Sequence, residues 1–173
     1  MLGVSWSMDQ AGPMTKTVKD CSLVFQTIAG YDPRDPSTSR HRVPLFQPED
    51  SLDGLRVAIV QEAMDSTLLQ KEIRSAVNGA VDVMAQAGAS VSDVSIPLFS
   101  QGGVISTAIT DAEAAYVHRH HLKALAAEYD VASRRRLLAA SLIPAQLYQK
   151  AIRLRVILRN QVLSALKETD VLI

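Results

Sequence analysis

The stretch Leu55–Gln61, LRVAIVQ, is a near-continuous apolar run bounded on its N-terminal side by Asp53-Gly54. A strand that is apolar at almost every position is covered on both faces, because a strand with one wet face alternates. The next residues keep a different period. Between Thr67 and Ala87 the apolar side chains fall at Ile73, Val77, Ala80, Val81 and Met84, a helical spacing that stops at Gly88. SVSDVSIP then places Val91, Asp93 or Val94, and Ile96 in strand-like alternation. Strand, helix and strand with short joints make a βαβ unit, whose strands are parallel and whose crossover is right-handed. The expected class is therefore α/β.

Upstream, Thr17 to Asp20 has the form of a capping box with Asp in place of Glu, opening a helix that buries Val18, Cys21, Leu23, Val24, Phe25 and Ile28 and ends at Gly30. A proline-rich connection over residues 31–52 follows, which holds neither helix nor central strand. Beyond Pro97 the pattern is helical: Ile105 to about Asp130 as one helix or two, Ser133–Leu142 as a short basic one, then a long helix with Pro144 at its first position, ending near Glu168. Leu147, Ala151, Leu154, Ile157 or Leu158, Val162 and Leu166 form its apolar face, with Arg153, Arg155, Arg159 and Lys167 mainly off it. Asp170–Ile173 reads as the opening of a buried strand, and both ends of the chain read as cut.

Charge excludes some functions. Lys+Arg and Asp+Glu both number 18, so no net field draws nucleic acid or an anionic membrane. No apolar run approaches the roughly 20 residues of a membrane span, and no secretion signal is expected at the start. With Cys21 the sole cysteine no intrachain disulfide forms, which suits the cytoplasm.

Three clusters invite chemistry. Ser5, Ser7 and Lys16 have the composition of an amide-hydrolysing serine set, in which a lysine acts through a second serine. Such a nucleophile needs an oxyanion hole, and the eight glycines are scattered away from both serines, so structural roles are expected. His118 and His121 share a helix face and could grip a metal with a third ligand such as Asp111 or Glu113, but the spacing matches no metal signature; solvated histidines are expected at 118, 120 and 121, and no metal. Arg134–Arg136 could clamp a carboxylate, or simply form a charged helix face. Cys21, on the apolar side of its helix, reads as a buried thiol.

The stretch SWSMDQAGPMTKTVKD resembles the S-x-D-x-x-G-P…T-V-x-D segment of the amidase signature family, with Ser7, Asp9, Gly12, Pro13, Thr17, Val18 and Asp20 at the matching places. AGYDPRDPSTS, LDGLRVAIV, LIPAQLYQKAIRLR and DVLI are similar, in order, to later parts of that family. The resemblance implies a fragment of the amidase signature fold, a short mixed or parallel sheet with several flanking helices. It also implies an amidase that hydrolyses carboxamide C–N bonds to carboxylate and ammonia, acts on a small-molecule amide and needs no cofactor; a homodimer of the parent is compatible with it. The family's nucleophilic serine, relaying cis-serine and lysine base precede the S-x-D-x-x-G-P segment, so none carries over to this chain. Ser7, Asp9, Gly12 and Pro13 become structural residues beside the active site. Family members that release ammonia from glutamine hold a carboxylate with an arginine that aligns near Arg135 or Arg136. Those members also carry Phe-Asp-Gly-x-Arg-Tyr-Gly where this chain has HRHHLKALAAEYD, which points to a general amidase.

The expectation is thus one partial domain over residues 1–173, the middle to C-terminal portion of an amidase, inactive alone. The rival is a non-catalytic α/β binding or regulatory module built on an amidase scaffold. A helical partner-binding protein is a third reading, which apolar residues on several faces of the last helix disfavour, since they suggest burial.

Overall fold

The structure, a computed structural model, describes residues 3–46 and 51–173. The backbone separates into one unit of residues 1–9 and 51–173 and another of residues 10–50.

The smaller unit holds one helix, α1 (Val18–Ile28). Thr17 caps it as the capping pattern requires, its hydroxyl accepting the Asp20 N–H at 3.1 Å. The apolar side chains expected to be buried are not: Val18, Leu23, Val24, Phe25 and Ile28 are exposed, and Cys21 is half-buried with Sγ 3.9 Å from the Pro13 carbonyl. One helix beside irregular chain offers no second apolar surface for α1 to bury against. Residues 31–46 are turns and irregular chain, as Pro33, Pro36 and Pro44 dictate. Residues 47–50 of the expected connection lie outside the described residues.

The larger unit runs β1 (Arg56–Val60), α2 (Gln61–Met64), α3 (Lys71–Gln86), β2 (Ser90–Val94), α4 (Gly102–Leu125), α5 (Val131–Ala140), α6 (Ala145–Ala165) and β3 (Val171–Leu172). Its strands lie in the order β2-β1-β3, both pairings parallel. The register sets Val57 against Val91 and Val171. Val57, Ala58 and Val60 are buried, so the unbroken apolar run does become the central, covered strand.

Some boundaries differ from the sequence pattern for local reasons. Ser66 nucleates a turn, its hydroxyl accepting the Leu68 N–H at 3.3 Å and its carbonyl the Leu69 N–H at 3.1 Å, so α3 begins at Lys71 and not at Thr67. Gln61, expected at the strand's end, starts the single turn of α2. Glu62 in that turn accepts the Ser95 hydroxyl at 2.5 Å and the Ile96 N–H at 2.8 Å, which ties the exits of β1 and β2 together. Asp130 caps α5 through the Ala132 and Ser133 amides and moves its start to Val131. Pro144 is the cap residue of α6, one place before the first helical position.

Helix α4 packs on both α5 and α6. Ile105, Ile109 and Ala151 form the buried centre of that contact, with Met8, Ile152, Leu154 and Leu158 against them. On the rest of α6 the apolar residues stay open: Leu147, Val156, Ile157 and Leu163 are exposed, against the expectation of burial on more than one face.

Candidate functional site

Ile105, Ile109 and Glu113 follow one another at four-residue steps along α4, so a carboxylate stands in line with the core-facing side chains. Glu113 is 6% exposed. A buried carboxylate must be hydrogen-bonded or protonated, and here the chain supplies four donors. Its Oε2 accepts the Ser5 hydroxyl at 2.5 Å and the Ser7 N–H at 3.1 Å. Its Oε1 accepts the Ser7 hydroxyl at 2.7 Å and the Tyr148 hydroxyl, from α6, at 3.0 Å.

The serines reach α4 because residues 4–9 form a tight turn closed by Asp9. The Asp9 carboxylate accepts the Val4 N–H at 2.7 Å, and the Asp9 N–H donates to the Ser5 carbonyl, also at 2.7 Å. Ser5 is wholly buried, whereas Ser7 stays exposed and takes a further bond from Arg155 Nη1 at 3.1 Å. The same nitrogen lies 3.6 Å from the Met8 sulfur. Arg155, Ser7 and Glu113 thus form a cation–hydroxyl–carboxylate chain.

Burial pushes the Glu113 carboxyl up, but the bonds from Ser5, Ser7 and Tyr148 outweigh it and hold the group below the usual range for Glu. Tyr148 moves the other way: burial, then its bond to the Glu113 carboxylate, raise the phenol above its ordinary value. The cluster is an ionised carboxylate surrounded by hydroxyls that keep their protons.

Beside it opens a cleft of about 500 Å³ lined mainly by Trp6, Tyr116, Val117, Ile143 and Tyr148, with Glu113 also in its lining. That volume lies within the usual range for small-molecule sites, roughly 300–1,000 Å³.

The residues singled out from the sequence are dispersed. Ser7 and Asp9 belong to the turn just described, while Gly12, Pro13 and Lys16 lie in the smaller unit. Arg136 is engaged by Asp111, its Nε–H donating to a carboxylate oxygen at 2.8 Å and its Nη2 lying 2.7 Å from the same oxygen. Arg135 is exposed. His120 and His121 are exposed as expected, but His118 is buried, its Nδ1 sharing a 2.7 Å hydrogen bond with the Tyr129 hydroxyl. It faces the turn between α4 and α5, where Tyr129 covers it edge-on. Among the described residues no three His, Cys, Asp or Glu side chains are grouped to hold a metal.

Sequence reasoning considered Glu113 only as a metal ligand and passed over Tyr148. The four-residue step from Ile105 through Ile109 to Glu113 was the available signal, a charge on the apolar face of a helix.

The amidase family model matches residues 1–173. An amidase of Pseudomonas putida is 31% identical over 172 residues, which is 98% of this chain and 37% of that protein. A glutamyl-tRNA(Gln) amidotransferase chain of Brachyspira hyodysenteriae is 31% identical over 116 residues, 66% of this chain and 24% of that one. A crystal structure of an amidase superposes with a TM-score of 0.76 at 26% identity, covering 98% of this chain and 36% of its own. The chain therefore covers from about a quarter to little more than a third of the length of these relatives. A match along every residue, joined to a parallel sheet flanked by helices that superposes on a solved amidase, places this chain in the amidase family.

Proposed function

We propose that this chain forms part of the substrate pocket of a general amidase that hydrolyses small carboxamides to carboxylate and ammonia, and that no residue of the chain is the nucleophile or its base. One observation carries the second half: the hydroxyls of Ser5 and Ser7 are both donated to Glu113. A serine is activated by a base whose pKa lies near the working pH. A carboxylate held below the ordinary Glu range is a weak acceptor for that proton. Ser5 is also closed to any substrate.

In this reading Ser7, Asp9, Gly12 and Pro13 are structural residues beside the active site of the whole enzyme. Ser7 and Asp9 hold the turn that fixes Trp6 at the cleft. Arg135 and Arg136 are the candidates for holding a substrate carboxylate, and at Arg136 that carboxylate would displace Asp111. The test is release of ammonia from benzamide, or of aniline from an anilide, by the purified chain. No turnover is expected from the wild type or from Ser7→Ala; turnover that Ser7→Ala abolishes would overturn the reading.

A further inference from the structure

The cleft beside Glu113 has a composition that selects its occupant. Trp6 lies on a backbone fastened at both neighbours, since Ser5 and Ser7 each bond Glu113, yet its indole is 86% exposed. An indole carried on an anchored backbone has only its two side-chain torsions left to order when a flat ligand stacks on it. Tyr116 lines the same cleft and is 63% exposed, with the Arg119 guanidinium 4.0 Å from its ring centroid and bonded to the Tyr116 carbonyl at 2.7 Å. Val117 and Ile143 complete an apolar wall.

The polar content is equally selective. The Tyr148 hydroxyl is donated to Glu113, and both Glu113 oxygens already accept two hydrogen bonds. Arg155 bonds Ser7 and does not line the cleft; among the described residues Glu113 is the cleft's only charged lining group. An anion entering would lose water and find no cation among the lining residues, Arg119 being engaged by the Tyr116 ring and carbonyl, whereas an uncharged aromatic group would lose mainly apolar hydration.

We infer that this cleft, which neither Arg135 nor Arg136 lines, binds the aromatic, uncharged part of a carboxamide and rejects carboxylates. The inference rests on the pocket reading above and adds the substrate class.

Trp6 is the sole tryptophan, so its fluorescence reports the cleft directly. The 173-residue chain is titrated with benzamide, propionamide and benzoate, with N-acetyltryptophanamide as the control for collisional quenching. Benzamide should give a saturable change, with propionamide and benzoate each about tenfold weaker or more. Tyr116→Ala should weaken benzamide severalfold, and Tyr116→Arg, at an exposed helical position that tolerates a long side chain, should reverse the order so that benzoate binds better than benzamide. Benzoate equal to benzamide on the wild type, no saturation, or titrations unmoved by either Tyr116 variant would overturn the inference. The same samples are assayed for ammonia. Serine-dependent release would contradict the proposed absence of a nucleophile, while the titrations alone decide the ligand class.

Discussion

Ser5 and Glu113 stand 108 positions apart in the chain and are joined by a 2.5 Å hydrogen bond within the protein interior. The bond fastens the N-terminal turn to the middle of the longest helix, and the Tyr148 hydroxyl extends the connection to α6. Replacing Glu113 by Ala leaves the wholly buried Ser5 hydroxyl and the half-buried Tyr148 hydroxyl without their acceptor. Urea melts should show a loss of about 2–4 kcal/mol for Glu113→Ala and a smaller one for Glu113→Gln, which keeps one acceptor oxygen. Equal melts for Glu113→Ala and the wild type would mean that the turn is held by other contacts.

The same carboxylate makes a pH prediction. Its folded pKa is depressed, so the unfolded chain binds its proton first, and the stabilisation is complete above the unfolded value of about 4.3 for Glu. It is lost as the pH falls below that value. The stability gap between wild type and Glu113→Gln should therefore be constant from pH 7 to about 5 and close on further acidification. A gap that widens in acid would reverse the sign of the argument.

How far these features could be read from the sequence depended on whether a residue's surroundings are local. The run around Val57 to Val60, the period of α3 and the Thr17 cap were legible, because each is set by neighbours within a few positions. The exposure of Phe25 and Ile28 was not, because amphipathic spacing shows which face seeks cover and not whether cover exists. Glu113 needed partners from residues 5, 7 and 148, and only the assembled fold brings those together. His118 is another such case: spacing alone cannot place Tyr129, its partner beyond the end of α4, and so points to a solvated ring.

That pairing gives its own expectation. Tyr129→Phe keeps the ring packing and removes the hydroxyl, leaving the buried His118 nitrogen unsatisfied. The loss should be about 1–2 kcal/mol in chemical denaturation, with hydrogen exchange rising first at the end of α4. A variant as stable as the wild type would show that water replaces the phenol.

At Gly88 the backbone has φ +104°, and an added Cβ would collide with the Asp53 carboxylate oxygen. Gly88→Ala therefore meets two separate costs, backbone strain and steric contact, and should destabilise by roughly 2 kcal/mol. Adding Asp53→Ala should recover the steric part only, so the double variant settles between the wild type and Gly88→Ala. Full recovery would leave no role for the backbone conformation.

The joint between β1 and β3 supplies the last test. Arg56 meets the Asp170 carboxylate with both ends of its guanidinium, Nη2 at 2.8 Å and Nε at 3.1 Å, and adds its backbone N–H at 2.9 Å. The Arg56 side-chain bond, then the Arg56 amide, lower the Asp170 pKa to about 2. Because the folded value is depressed, the contribution is complete above the unfolded Asp value of about 3.9. It disappears as the pH falls toward about 2. The pair is exposed, so salt should weaken it. Asp170→Asn should therefore differ from wild type most at neutral pH and low salt, and least near pH 2. NMR titration of the Asp170 carboxyl carbon checks the cause directly: a midpoint at the ordinary Asp value would show that the guanidinium does not hold this carboxylate in solution, and that β3 stays on β1 by its ladder bonds alone.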